Sequence, residues 1–168
     1  GRVVVDTEPP DYIERILLVR PRNRLGRVSL AYPAVDGVTG KGAALRTVLQ
    51  MADALGVEAL PGEALRLGMA WRHLPIPDRQ PPGLDFERRW AEVGAELVVA
   101  LREGRRIFLH CKGGLGRTGT VAACLLREAG VGAAEAVTQV RLARPKTIET
   151  AQQERYVHAY TRRFGGNP

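Results

Sequence analysis

The sequence predicts an α/β fold in which a mainly parallel central sheet is flanked by helices. Two observations support this class. Strand-length runs of apolar residues alternate with longer segments whose apolar residues recur at helical spacing. The segments between most strands are long enough for the crossover connections that parallel pairing requires. A chain of 168 residues fits one compact domain, so we predict a single domain over residues 1–168.

The first half of the chain contains most of the predicted strands. Apolar runs such as RILLVR have the length and composition of buried strands, and clusters of proline or glycine separate them. Pro61 stands in the first turn of a short predicted helix, residues 61–67, where its fixed φ is favourable. The glycine-rich residues 36–42 are predicted to form a loop. Strands are predicted at residues 15–20, 27–32, 46–51 and 70–74.

The second half has a clearer periodicity. An amphipathic helix is predicted over residues 84–103, and Gly104 is suited to its C-terminal cap. A short apolar strand, residues 106–110, leads into a glycine-rich loop. The apolar residues that recur at helical spacing in the first helix are Trp90, Val93, Leu97 and Leu101. Further helices are predicted at residues 118–129, 133–143 and 150–164.

Composition and charge argue against several functions. Hydrophobic residues make up 45% and charged residues 26%, which is ordinary for a globular protein. No apolar run reaches the roughly 20 residues that a transmembrane helix needs. The net charge of +7 comes largely from scattered arginines without interleaved aromatic residues, unlike a dedicated nucleic-acid-binding module. We therefore predict no dedicated nucleic-acid or membrane binding.

The cysteine and histidine content bounds the chemistry further. Cys111 and Cys124 are too few for a disulfide scaffold, so a reducing compartment, the cytoplasm, is favoured. Cys124 falls on a predicted helix, where we expect it to pack in the core. The three histidines are dispersed and lack the spacing of metal ligands, so we predict no metal and no other cofactor.

The most informative segment is residues 110–119, HCKGGLGRTG, which we call the signature loop. It leaves the last predicted strand and enters a helix, so backbone N–H groups and the positive end of the helix dipole converge at one point. Its glycines permit the close backbone approach that an anion site requires. We predict that phosphate is bound by the backbone of Lys112, Gly113, Gly114, Leu115 and Gly116.

Four side chains of the signature loop have predicted roles in attack on a phosphate ester. Arg117 carries a planar fork that can bind two phosphate oxygens at once. The positive surroundings favour the thiolate form of Cys111, which is then a nucleophile directed at phosphorus. His110 is predicted to orient the loop, and the Thr118 hydroxyl to donate a hydrogen bond to the sulfur. The alternative is that Cys111 is a buried structural cysteine beside a glycine turn. Such a cysteine would not need His110, Arg117 and Thr118 at these spacings.

A phosphocysteine mechanism also needs a general acid that protonates the leaving oxygen and later activates water. The best candidate is Asp78, within HLPIPDRQPPG. The prolines restrict this segment, and a carboxyl group carried on a loop can close over a bound phosphate. Asp53 and Asp85 are weaker candidates, and Asp85 fits the start of the next helix.

HCKGGLGRTG resembles the signature HCxxGxxR[ST]G of the cysteine-based protein-tyrosine and dual-specificity phosphatases. With the VAACLL that follows, it looks especially like the branch of the cyclin-dependent-kinase-associated phosphatase and its bacterial relatives. The resemblance extends over about residues 70–160, whereas residues 1–45 diverge. It implies the protein-tyrosine-phosphatase fold, with Cys111 as nucleophile, Arg117 as phosphate ligand and Asp78, in HLPIPD, as general acid.

The resemblance also implies functions for the segment IETAQQ. Its second glutamine, Gln153, matches the family residue that positions the hydrolytic water. Glu149 stands where many tyrosine-specific members have glutamine, which argues against a strictly tyrosine-specific enzyme. The family further implies a phosphoprotein or phosphopeptide substrate, and oxyanions such as phosphate, sulfate or vanadate as inhibitors bound in the loop.

Three functions remain open at this point. The favoured one is a protein phosphatase acting on phosphotyrosine and on phosphoserine or phosphothreonine. The second uses the same loop on a phosphoinositide or an RNA 5′-phosphate, for which the positive charge of Lys112 is an argument. The third is a catalytically silent phosphate-binding module, which the presence of Cys111, Arg117, Thr118 and a plausible acid disfavours.

Overall fold

The computed structural model describes residues 2–6, 15–22, 27–31, 60–66, 69–103, 105–111 and 115–164. Several sequence predictions fall outside these ranges and stay predictions. They are the loop at residues 36–42, the strand at residues 46–51, the weaker acid candidate Asp53, the C-terminal cap at Gly104 and the signature-loop residues Lys112, Gly113 and Gly114.

Five strands of the described part of the chain form one sheet. In chain order they are β1 (Arg2–Asp6), β2 (Arg15–Arg22), β3 (Arg27–Ala31), β4 (Met69–His73) and β5 (Arg106–Cys111). Their order in the sheet is β3-β2-β5-β1-β4, so the strand that leads into the signature loop is central. Parallel strands that are buried on both sides need helices on both faces of the sheet. The described elements combine this sheet with helices, so the α/β class predicted from the sequence is confirmed.

The sheet is parallel on one side of β5 and antiparallel on the other. β1 pairs in parallel with both β4 and β5, whereas β2 pairs antiparallel with both β3 and β5. Only residues 23–26 separate β2 from β3, which is far too short for the crossover that a parallel pair needs. The predicted parallel arrangement therefore describes the half that contains β4, β1 and β5.

Five helices complete the described fold. They are α1 (Leu60–Arg66), α2 (Leu84–Arg102), α3 (Gly116–Glu128), α4 (Ala133–Ala143) and α5 (Ala151–Ala159). α4 has the predicted bounds, and α2 ends one residue earlier than predicted. α5 is shorter than the predicted residues 150–164, because Tyr160 has extended backbone angles, φ −63° and ψ 125°, and ends the helix. Within the described ranges, no helix has both the length and the apolar character that crossing a membrane demands.

Helix α3 lies in the middle of the core. All of its residues except Arg127 are buried, and it contacts β5, α2, α4 and α5. Cys124 on this helix is fully buried, as predicted, and burial raises the pKa of its thiol well above the ordinary value. A helix fixed on so many sides gives its N-terminus, where the signature loop enters, a rigid position.

Candidate active site

The signature loop joins the central strand to the central helix. Cys111 is the last residue of β5 and is 1% exposed. Arg117 and Thr118 lie in the first turn of α3, and both are buried. The short connection between these elements brings the thiol, the guanidinium and the N-terminus of α3 into one region, which is the arrangement that favours an anion.

Arg117 connects the signature loop to the segment that carries Asp78. We call residues 74–83, between β4 and α2, the acid loop. The Arg117 guanidinium, only 4% exposed, places Nη2 3.0 Å from Asp78 Oδ1. Its Nη1 donates a hydrogen bond to the carbonyl oxygen of Ile76 at 3.4 Å. Two residues that are far apart in the chain, both predicted to be catalytic, therefore form an ion pair.

The acid loop is anchored at its N-terminal end and exposed at its tip. Leu74 and Ile76 are 0% and 1% exposed and belong to the main hydrophobic core. At the tip, the Asp78 side chain is 69% exposed. A turn closes here with a 3.1 Å hydrogen bond from Gln80 N to Pro77 O, and Arg79 takes a left-handed φ of 59°. Apolar burial therefore fixes the start of the loop, while polar contacts hold the acid.

The N-terminus of α5 supplies two of these polar contacts. Thr150 Oγ1 donates to the carbonyl oxygen of Arg79 at 3.3 Å, and Gln153 Nε2 donates to that of Gln80 at 3.2 Å. Thr150 and Gln153 also form a capping box, in which each side chain accepts from the backbone N–H of the other. The pattern TAQQ is a capping-box signal that could have identified Thr150 from the sequence.

Gly116 contacts the segment before α5. Its backbone N–H donates to Glu149 Oε2 at 2.9 Å. A Cβ atom at this position would lie 2.5 Å from Glu149 Oε2 and 2.8 Å from Gln153 Nε2, so only glycine allows this close approach. The sequence predicted that the Gly116 amide binds phosphate. In the structure the Glu149 carboxylate is bonded to that amide, so a phosphate would have to displace it there.

Thr118 and His110 flank the signature loop inside the core. Thr118 is 0% exposed, and its Oγ1 has no hydrogen-bond partner among the described residues, so the described fold does not use this hydroxyl. His110 is 2% exposed, and its ring packs against that of Trp71 with 5.5 Å between the centroids. At Leu115, the carbonyl oxygen accepts from the backbone N–H groups of Gly119 and Ile148, which ties the end of the loop to two segments.

A cysteine at the end of a central strand, a buried arginine in the first turn of the next helix and a carboxylate beside that arginine define the class of cysteine-based phosphatases. The domain model described as "Swiss Army Knife protein, DSP-PTPase phosphatase domain" matches residues 42–157, which is more than half of the chain. The chain therefore belongs to the DSP-PTPase family of dual-specificity and tyrosine phosphatases, as the signature loop predicted.

Curated relatives support this assignment. The chain is similar to cyclin-dependent kinase inhibitor 3 of Rattus norvegicus, with 36% identity over 96 residues that cover 55% of this chain and 44% of that protein. It is also similar to protein tyrosine phosphatase domain-containing protein 1 of Mus musculus, with 28% identity over 142 residues, covering 77% of this chain and 18% of that protein. The chain thus spans less than half the length of these relatives.

Solved structures share the fold. A kinase associated phosphatase with its catalytic-site cysteine replaced by serine superimposes with a TM-score of 0.61 at 22% identity, covering 88% of this chain and 93% of the other. A mutant form of Tk-PTP gives a TM-score of 0.51 at 33% identity, and the match covers 58% of this chain and 63% of the other. The protein-tyrosine-phosphatase-like fold that the sequence predicted is confirmed.

Proposed function

We propose that this chain is a protein phosphatase that hydrolyses phosphotyrosine, and also phosphoserine and phosphothreonine, through a phosphocysteine intermediate. The observation that carries this proposal is the 3.0 Å ion pair between Arg117 and Asp78, with Arg117 in the first turn of the helix that follows the strand ending at Cys111. This contact supports a site in which a phosphate ligand, a general acid and a nucleophile act on the same group.

In the first step, Cys111 Sγ attacks the phosphorus atom as a thiolate. The S–P bond forms while the bond from phosphorus to the leaving oxygen breaks, and Asp78 gives its proton to that oxygen. Arg117 binds two of the remaining phosphate oxygens through its fork, together with the backbone amides of residues 112–116. The electron pair of the broken bond leaves with the protonated alcohol or phenol.

In the second step, water attacks the phosphocysteine. Asp78, now a carboxylate, accepts a proton from the water, the S–P bond breaks, and inorganic phosphate and the thiolate are released. Thr118, whose buried hydroxyl has no hydrogen-bond partner among the described residues, can donate to the leaving sulfur. His110 orients the loop from its buried place beside Trp71. Gln153, which borders Gly116, is proposed to place the water.

The proposal is tested by parallel turnover measurements on phosphotyrosine, phosphothreonine and phosphoserine peptides of one sequence. We expect release of inorganic phosphate that vanadate, bound in the signature loop, inhibits. The Cys111→Ser protein serves as the control for contaminating phosphatases. The absence of vanadate-sensitive turnover on all three peptides would contradict this proposal. Neither Cys111 nor Cys124 forms a disulfide, and both are buried, which supports the reducing cytoplasm as the proposed location.

One observation favours a second candidate, a phosphatase for a substrate with more than one phosphate group, such as an inositol phosphate or an RNA 5′-phosphate. A cavity of about 370 Å³ adjoins Leu115 of the signature loop. Arg79, Arg141 and Lys146 line it together with one carboxylate, that of Glu149, and neither Arg79 nor Lys146 has an ion-pair partner among the described residues. Adding an inositol polyphosphate and a 5′-triphosphate RNA to the same assay decides between the two, because the second candidate requires faster turnover of these substrates than of any peptide.

A further inference from the structure

The tip of the acid loop is held by the start of α5, from outside the signature loop. The carbonyl groups of Arg79 and Gln80, the two residues directly after Asp78, accept hydrogen bonds of 3.3 Å and 3.2 Å from Thr150 Oγ1 and Gln153 Nε2. Both acceptors are backbone atoms, so these bonds fix the course of the chain at the acid itself. We propose that Thr150 and Gln153 are positioning residues that hold Asp78 over the phosphate.

The two donors are themselves rigidly placed. Gln153 N donates to Thr150 Oγ1 at 3.2 Å, and Thr150 N donates to Gln153 Oε1 at 3.3 Å. A capping box is complete with these two bonds. Here each side chain uses its remaining donor, the hydroxyl hydrogen of Thr150 and the amide of Gln153, on the acid loop. Gln153 is 0% exposed, so its rotamer is fixed by packing and its donor needs no ordering when the loop closes.

Substrate binding weakens the other described contact of the acid, its ion pair with Arg117. Arg117 Nη2 is 3.0 Å from Asp78 in the structure, but the proposed function requires the same guanidinium to bind phosphate oxygens. Once it does so, it is shared between Asp78 and the substrate. The Thr150 and Gln153 bonds touch neither the carboxylate nor the phosphate, so they persist through both chemical steps. This inference rests on the proposed function, because it assigns these two residues to the acid of that reaction.

A loss of positioning of Asp78 has a kinetic consequence that a loss of protein stability does not have. If Asp78 is over the phosphate for a smaller fraction of the time, protonation of the leaving oxygen suffers, and only poor leaving groups depend strongly on it. The loss of one hydrogen bond changes a closed–open equilibrium by about 3- to 10-fold. We expect a loss of that size for phenyl phosphate and little change for p-nitrophenyl phosphate, whose leaving group departs without help.

Substitutions at Thr150 separate the cap from the contact with the acid loop. Thr150→Ser keeps both hydrogen bonds and should retain the parent rates. Thr150→Asp keeps an oxygen that caps α5 but cannot donate to Arg79 O. Thr150→Ala loses both. We expect the phenyl phosphate rate to fall in the Asp and Ala proteins alike, and the melting temperature to fall clearly in the Ala protein only.

The decisive measurement repeats Thr150→Asp in the Asp78→Asn protein. If Thr150 acts through Asp78, the second substitution changes neither rate once the acid is gone. An equal drop on both substrates, or a further drop in the Asp78→Asn background, would show a structural or purely electrostatic effect and overturn the inference. If Asp78→Asn itself shows no dependence on the leaving group, the proposed acid is wrong instead, so the two failures are distinguishable.

Limited trypsin digestion gives a second readout that does not depend on activity. The bond after Arg79 lies at the exposed tip of the acid loop. We expect cleavage at this bond to be about 3- to 10-fold faster in the Thr150→Asp protein than in the Thr150→Ser protein, with cleavage elsewhere unchanged. Equal rates at Arg79 in the two proteins would contradict a role of Thr150 in holding the loop.

Discussion

The two halves of the site are built by opposite means. The signature-loop half ends in α3, in which every residue except Arg127 is buried, and its Arg117 side chain is 4% exposed. The acid-loop half presents Asp78 on an exposed tip, with its side chain 69% exposed. Packing fixes the first half, whereas a few polar contacts from Arg117, Thr150 and Gln153 hold the second.

This difference follows from the two tasks. Phosphate binding and nucleophilic attack need groups that are in place before the substrate arrives, so a rigid and buried helix N-terminus is suited to them. In the proposed mechanism the acid must let the substrate in and the product out, which requires its loop to open. Substitutions in the first half should therefore affect all substrates alike, and substitutions in the second should depend on the leaving group.

The largest effect is expected at the nucleophile. Cys111→Ser should abolish turnover of every substrate, because an alcohol at this position is not ionised, while phosphate binding by Arg117 and the loop amides remains. Turnover and calorimetric phosphate binding measure the two properties. Cys124→Ala is the matched control: Cys124 lies in the core and burial raises the pKa of its thiol, so this protein should keep its turnover.

The acid should give the next largest effect. Asp78→Asn removes the proton that the leaving oxygen needs, so turnover of phenyl phosphate should fall by about 10²- to 10⁴-fold. Turnover of p-nitrophenyl phosphate should fall much less. A plot of rate against the leaving-group pKa, made for the parent and the Asp78→Asn protein, measures this difference. Parallel plots would mean that Asp78 does not donate the proton. The two halves of the site would then not be distinct in function.

Arg117→Lys tests the rigid half without removing its charge. A lysine offers a point charge in place of a two-pronged fork, so we expect a loss of about 10²- to 10³-fold that is similar for good and poor leaving groups. Arg155→Lys on the exposed face of α5 is the matched control and should be neutral. A loss that grows with the leaving-group pKa would show that Arg117 serves Asp78 more than the phosphate.

The smallest expected effect is on the free energy of unfolding, which should respond differently to substitutions in the two halves. A Cβ at Gly119 of α3 would lie 2.9 Å from Thr147 Cβ and 3.0 Å from Ile148 N. Gly119→Ala should therefore lower the free energy of unfolding by about 1–3 kcal/mol. Gln80→Ala, at the exposed tip of the acid loop, should change it by less than about 0.5 kcal/mol. Urea denaturation measures both, and equal values would contradict the contrast in packing.

Local patterns in the sequence predicted much of this molecule. Trp90, Leu97 and Leu101 recur at helical spacing and are buried in α2. The motif from His110 to Gly119 predicted the strand that ends with Cys111 and the helix that carries Arg117, although this helix begins at Gly116, two residues before the predicted start. These features are encoded by neighbours in the chain, and local spacing is sufficient to detect them.

Features that depend on distant segments were missed. β1 is a short run, RVVVD, and only its pairing between β4 and β5 makes it a central strand. The bond from Gly116 N to Glu149 joins residues 33 apart, and that from Gln153 to Gln80 joins residues 73 apart. No spacing rule predicts such contacts, because the packing of α5 against α3 brings these residues together.

The most direct test of the central claim is to trap the covalent intermediate. A substrate labelled in its phosphoryl group is mixed with the protein, the reaction is stopped with acid within milliseconds, and the peptides are mapped. We predict one labelled peptide, with the phosphoryl group on Cys111. The same labelled peptide should form in the Cys124→Ala protein and should be absent from the Cys111→Ser protein. Continued turnover in the Cys111→Ser protein, or a label on any other residue, would contradict the account.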